Sequence, residues 1–595
     1  MEKLTTHTPD YLDIPSSVWP SLGGAPHAGE GVVIGMIDTG IDPNHPSFDD
    51  KGQRPKQGGP NGGFNGTCET GRGFPRGVCG GKIAAARYFA LGAIANGDFN
   101  ASRDYASPFD ADGHGRQDYH TAAIAAGNYR TPVMVNGFNY GYASGMAPGA
   151  HPWIVSVAAS DTDRKYNNSI ELGNGQFLPG SGLAPPTSGA AHLQIAVAGD
   201  LCRQNDSVML MQNCMRAEPF VRSLARGKII VCSYIEMEYI TTIVPVVAET
   251  MRTVGAAGFI LTLDYDLNPS ARISLGTVNL PVPGIVLDTV QASSTLWKYY
   301  NANTAKGRDG TATRFGATAR ILDGRHATYT GQSPVVASYS SRGPDVNNAF
   351  LQTADLHLGR LEPESESDSF NKGQHFALLS GTSMAAPHVA GVAALIKQRN
   401  PHWTPAMVTS ALSTTARGPD ILADRGDSRG PADPFDCGAG FISPARALDP
   451  GLVLEAHFED YLRFLCAVPG VDGESVMRAV GTGCAGPTGR PADLNVPSVV
   501  VSNLVGSMRV MRRLTNVGGE REVYNVTVRE PSGVSVRVAP QVFAIERDGA
   551  EHLRISIRAE SAINEFVFGE IMLKGDRGHV VRIPLAISVT STLGD

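Results

Sequence analysis

The chain has 595 residues, 18% charged and 42% hydrophobic, with 68 glycines and a formal net charge of −7. That length predicts three or four domains at about 150 residues each, and the composition excludes a disordered chain, a collagen and a charge-rich coiled coil. No Lys/Arg-rich run marks a nucleic-acid partner, and no apolar stretch approaches the ~18 residues that span a membrane.

In chain order, Met1 to Pro20 lacks the apolar core of a signal peptide. The run Val32-Val33-Ile34-Gly35-Met36-Ile37, ended by Asp38-Thr39-Gly40, predicts a buried parallel strand and a tight turn. Residues 51–79 are a Gly/Pro-rich loop, and small helix formers follow from His120 to Ala126. Between about Leu172 and Thr328, strand-like runs (Lys228–Cys232, Gly258–Leu261) alternate with a helical stretch near Val246–Val254, which predicts a small α/β insert. Residues 362–369 are acidic and of low complexity. A helix is predicted from about Thr382 to Gln398, apolar on all sides and therefore buried, with Lys397 and Arg399 at its C-terminal dipole. Thr404-Pro405 supplies an N-cap and first-position proline for the next helix. In the last hundred residues Val534/Val536/Val538, Leu553/Ile555/Ile557 and Val581 to Val589 alternate with polar residues, the pattern of an antiparallel β-sandwich.

Three sites carry chemistry. Asp38 closes the first apolar run. His114 lies in Asp112-Gly113-His114-Gly115, ahead of a helix. Ser383 lies in Gly381-Thr382-Ser383-Met384-Ala385-Ala386-Pro387-His388, at the start of the apolar helix. A serine hydroxyl is a weak nucleophile and needs an adjacent base. A histidine can take its proton, and a carboxylate fixes the imidazole tautomer. A second Asp-Thr/Ser-Gly, which an aspartic protease requires, is absent, and the order Asp, His, Ser is not that of lipase-like hydrolases.

With these motifs in this order the sequence resembles a plant-type subtilisin-like serine protease, and Asp–His–Ser is the order subtilisin itself uses. The resemblance spans nearly the whole chain. It implies an α/β subtilisin-like parallel sheet with helices on both faces, interrupted by a protease-associated insert and followed by a fibronectin III-like sandwich. The corresponding bounds are a propeptide remnant at 1–8, catalytic parts at 9–170 and 329–455, the insert at 171–328, a helical linker at 456–490 and the C-terminal domain at 491–595. Tyr339-Ser340-Ser341-Arg342-Gly343-Pro344 resembles the motif leading into the second catalytic part. The implied activity is endopeptidase cleavage through an acyl-enzyme, with Ser383 as nucleophile, His114 as base and Asp38 as its orienter. Implied partners are protein or peptide substrates, the enzyme's own propeptide and a second copy through the insert. No cofactor, metal, nucleic acid or membrane span is expected.

The resemblance also implies disulfides Cys68–Cys79 and Cys466–Cys484, one pairing within Cys202, Cys214 and Cys232, and an unpaired Cys437. With sequons at Asn65, Asn100, Asn167, Asn205 and Asn525, the cysteines point to a secreted, extracellular protein.

Departures from the family pattern come in blocks. Arg116-Gln117-Asp118-Tyr119 stands where the family has one residue. After Gly145-Met146-Ala147-Pro148-Gly149-Ala150 the chain passes at once to His151-Pro152-Trp153, without the strands and the oxyanion asparagine expected between them. Asn128, in Ala125-Ala126-Gly127-Asn128, follows the catalytic-histidine helix and reads as a cap, not as that asparagine. His357 to Phe370 replaces another core segment. Drift would scatter substitutions and release the triad first, so intact motifs beside abrupt borders read as a rearranged gene model of an active-type enzyme. The alternative is an inactive homologue that only binds.

Overall fold

The computed structural model describes residues 7–592 except 38–39, 49–65, 80, 101–103, 105, 110–121, 123, 127–130, 136–137, 144–156, 183, 190, 203–212, 235–239, 264–279, 281, 288, 309–311, 330–333, 344–380, 419, 426–427, 469–470 and 485–488. Asp38, His114, Asn128, Asn65, Asn205, the Arg116–Tyr119 insertion, the Ala150–His151 junction and the segments 357–370 and 362–369 therefore lie outside the described residues.

The insert is a closed seven-stranded barrel. Its strands run Gly284–Val286, Phe177–Ser181, Asn167–Leu172, Thr318–Ile321, Leu193–Val197, Ile229–Tyr234 and Gly258–Leu263 around the ring. Alternation sorts their side chains into two cores. Ile230, Cys232, Phe259 and Leu261 meet Val247, Ala248 and Met251 of the helix Ile240–Val254. Ile229, Val231 and Ile260 meet Leu296 and Tyr300 of the helix Val290–Asn303. Both faces of the strand Gly258–Leu263 are thus buried, which is why its sequence is a continuous apolar run. A disulfide, Cys214–Cys232, fixes the segment before the short helix Arg222–Ala225 to this sheet.

The C-terminal unit is a sandwich of two sheets. One contains Leu452–Leu454, Ser507–Asn516, Ala550–Ala559 and Val534–Ala539; the other contains Val499–Val505, Val580–Ser591, Ile563–Gly575, Glu522–Arg529 and Val542–Ile545. The alternating residues Val534, Val536, Val538, Leu553, Ile555, Ile557, Val581, Ile583, Leu585 and Ile587 form one core. Arg512 is enclosed in it, donating to the carbonyls of Val496, Ala492, Met511 and Ser498 at 2.6–3.0 Å. Burial in that cage pulls its pKa down to about 10. Ahead of the sandwich, the helices Phe458–Ala467 and Gly473–Val480 are tied by Cys466–Cys484.

The remaining parts are less complete. Val335–Val336 runs parallel to Leu422–Asp424 in a four-stranded sheet with Arg429–Pro431 and Ser160–Asp161. Val32–Ile37, expected as a buried strand, has no strand partner among the described residues; Met36 is 43% exposed and Ile37 fully so. A parallel strand needs neighbours to take its hydrogen bonds and cover its faces. Cys68–Cys79 staples the neighbouring loop. The helix Thr382–Arg399 is also less covered than its composition predicts: Met384, Gly391, Val392 and Ala394–Ile396 are buried, whereas Ser383 and Ala386 are exposed.

Candidate active site

Ser383 stands in the first turn of the helix Thr382–Arg399 with its side chain exposed. Thr382 and Ser383 occupy positions whose N–H groups the helix itself does not use. Pro387, four residues on, has no N–H to give the Ser383 carbonyl. The helix is fixed at its far end. Lys397 Nζ donates to the Pro401 and Trp403 carbonyls at 2.6 and 2.8 Å, and the Gln398 amide bridges the His27 carbonyl (2.7 Å) and the Gly29 N–H (2.6 Å). Thr404 caps the next helix, Pro405–Thr414, by accepting from Met407 N.

Asp38 and His114 lie outside the described residues, but the segments that carry them are linked. Ile41, three residues after Asp38, donates its N–H to the carbonyl of Pro108, six residues before His114, at 3.0 Å. Gly40 between them has φ 142°, a conformation that favours glycine. A single hydrophobic core receives Met384 beside Ser383, Ile124 from the helical segment after His114, and Val32 and Ile34 ahead of Asp38. The short helices at the N-terminus close it with Leu12, Ile14, Val18 and Trp19. One nucleus therefore gathers the flanks of all three motifs.

A second polar cluster, not foreseen from the sequence, fixes the motif Tyr339–Pro344. Arg342 donates to the carbonyls of Ala337 (3.2 Å), Ser340 (2.7 Å) and Asp424 (2.8 Å) and pairs with Asp436 Oδ1 at 2.8 Å. Asp436 is buried, also meets Arg425, and completes a capping box with Asp433 on the helix Pro434–Cys437. The Asp433-Pro434 pair was the available signal. Cys437 lies outside the disulfides; burial, helped by Asp436 and Asp433, pushes its thiol up to about 12, so it is no nucleophile at neutral pH. Among the described residues no three His, Cys, Asp or Glu side chains are grouped to hold a metal ion.

The catalytic parts are braced against the sandwich. Arg582 pairs with Glu570 and donates to the carbonyls of Ala416 (2.9 Å) and Ala439 (3.1 Å). Phe435 stands edge-on to Phe566 and Phe568 with centroids 4.9 and 5.1 Å away. A Cβ at Gly418 would lie 2.3 Å from the Arg582 guanidinium, so that glycine makes room for it.

The Subtilase family pattern matches residues 29–176 and 246–440, and a fibronectin type-III domain matches residues 493–587. The chain belongs to the subtilase family. This subtilase is 37% identical to Subtilisin-like protease SBT2.4 of Arabidopsis thaliana, over 98% of the chain and 83% of that protein. It is 34% identical to Subtilisin-like protease SBT2.5 of the same plant, over 98% and 84%. The alignment with SBT2.4 runs over 708 positions, whereas 98% of this 595-residue subtilase is about 583; about 125 positions inside the aligned span have no counterpart here. As a family member it is a serine protease by descent.

Proposed function

We propose that the chain is a secreted endopeptidase in which Ser383 Oγ attacks the scissile carbonyl, His114 takes the serine proton and returns it to the leaving amine, and Asp38 holds the imidazole. The bond formed is the Ser383 ester; the bond broken is the peptide C–N, and water then hydrolyses the ester. The observation that carries this reading is the shared core that receives the flanks of all three motifs. The exposed Ser383, at a helix N-terminus with unused N–H groups, suits the negative charge that develops on the carbonyl oxygen. The three disulfides suit an oxidising compartment, and Asn100, Asn167 and Asn525 are exposed, as glycan acceptors must be. The test is labelling by a fluorophosphonate probe: the chain is labelled, Ser383→Ala is not, and labelling that survives the substitution sinks the assignment.

A second reading rests on the unpartnered Val32–Ile37 segment and the missing positions: a folded homologue that binds but does not cleave. The loss of one oxyanion donor alone lowers turnover by roughly 10²–10³, the magnitude known for subtilisin. A folded, unlabelled wild-type chain supports this reading.

A further inference from the structure

The two sheets of the sandwich differ in what covers them. The five-stranded sheet is braced on the catalytic parts through Phe566, Phe568 and Arg582. Leu452–Leu454 of the four-stranded sheet is buried beside the helix Pro405–Thr414, but the other three strands turn their outer face to solvent, and there the register builds a one-sign array. Across the strands Ser507–Asn516, Ala550–Ala559 and Val534–Ala539, successive rows read Arg513 and His552; Met511, Arg554 and Ala539; Arg509, Ser556 and Arg537; Ser507, Arg558 and Ser535. All five arginines are exposed. Among the described residues none of these guanidinium groups has a carboxylate partner. Two acids near the margins are engaged elsewhere, Asp493 with Arg490, and Glu530 with the Ser535 hydroxyl and the Val536 N–H, while exposed Glu560 follows the end of the strand Ala550–Ala559.

Charge on an outer face is ordinary protection against aggregation, but mixed signs would serve that end. Like charges in neighbouring rows instead weaken the sheet. The array is all the less expected in a chain whose 57 acidic residues outnumber its 50 basic ones. Rows two residues apart repeat every ~6.8 Å, and strands lie ~4.8 Å apart. The result is a flat grid of guanidinium groups, each able to grip a carboxylate with two parallel hydrogen bonds.

We propose that this face binds a linear acidic polysaccharide carrying a carboxylate on each sugar. These rows hold no Phe, Tyr or Trp on which a base could stack, which disfavours single-stranded nucleic acid. Met511 is its one large exposed apolar residue, too little to enter a bilayer. The choice of a polysaccharide rests on the secreted reading above, since such polymers meet a protein outside the cell; it does not require the chain to cleave peptides.

The probe is polygalacturonate, with neutral dextran as control, offered to the full chain and to Arg509→Gln/Arg554→Gln/Arg558→Gln. The wild type retains polygalacturonate and not dextran, its affinity falls as salt is raised, and the triple variant binds at least tenfold more weakly. All three positions are exposed, so the variant keeps the wild-type melting temperature and fluorophosphonate labelling. Equal binding by the variant, or equal retention on dextran, overturns the proposal. So does tighter binding to a DNA oligonucleotide or to phosphatidylglycerol vesicles, which assigns the face to another class of polyanion. If the chain proves unlabelled yet binds polygalacturonate, the catalytic reading fails and this one stands.

Discussion

The inserted barrel and the catalytic parts both contain parallel strand pairs among antiparallel ones, and they end differently. In the barrel every strand has two neighbours, and strands such as Gly258–Leu263 are buried throughout. In the catalytic parts Val335–Val336 pairs in parallel with Leu422–Asp424, while Val32–Ile37, apolar enough to be a core strand, stands without a strand partner among the described residues and with Ile37 in water. Apolar composition prepares a strand for burial; only neighbours supply the hydrogen bonds and the cover. A barrel carries all its neighbours within itself, whereas an open sheet that loses interior strands leaves the remainder exposed.

If the sandwich makes up for what the catalytic sheet lacks, the largest effect should come from the brace between them. Arg582→Ala leaves buried Glu570 and two carbonyls without their partner and should destabilise the chain by about 3–5 kcal/mol, the usual penalty for breaking a buried pair. Thermal melting together with limited proteolysis in residues 381–440 would register it; an unshifted melt would show the catalytic parts to be self-sufficient. Next, Cys232→Ser opens an 18-residue loop in the barrel and should cost about 3 kcal/mol. It should lower the barrel's own transition and leave Ser383 labelling intact, and a loss of labelling would show that the two regions fold together.

A smaller effect concerns His579, at the seam. Burial is the largest influence and pulls its pKa down, but the hydrogen bonds and charges of Glu522 and Asp449 outweigh it and the net shift is upward. Its Nδ1 meets Glu522 at 2.7 Å and its Nε2 meets Asp449 at 3.3 Å. A folded pKa above the unfolded one, about 6.5, gives stability that is complete below that value and is lost as pH rises through the folded pKa. Melts between pH 5 and 9 should show this decline in the wild type and not in His579→Gln. Smallest of all, Ile37→Asn should leave the melting temperature unchanged, because the side chain touches nothing that folding buries; a clear drop would mean that this segment is covered in solution.

Much of this was legible. Period-two alternation marked the sandwich strands because every second side chain of each enters one shared core. The cap at Thr404 and the lysine at position 397 act locally, so a few residues sufficed to read them. Of the candidate site, the start of the helix at Thr382 followed from its own sequence. What stayed hidden depended on distant partners. Asn167–Leu172 pairs with Thr318–Ile321 at the other end of the insert, and nothing in either run announces the closure. Arg342 lay inside a motif already noticed, but its partner Asp436 is ninety-four positions away. The helix read as buried all round is exposed at Ser383 and Ala386, because composition reports what a helix tolerates and not what surrounds it.

Arg582 sits thirteen residues from the end of the sequence given, on the strand Val580–Ser591 that also joins Val499–Val505 to Ile563–Gly575. A ribosome delivers that strand well after Ala416 and Ala439. Until it emerges, the carbonyls of Ala416 and Ala439 wait without their donor and the sandwich lacks a central member. The region bearing Ser383 thus cannot reach its final braced form before residue 582 has emerged, and a chain cut short ahead of it would never reach that form.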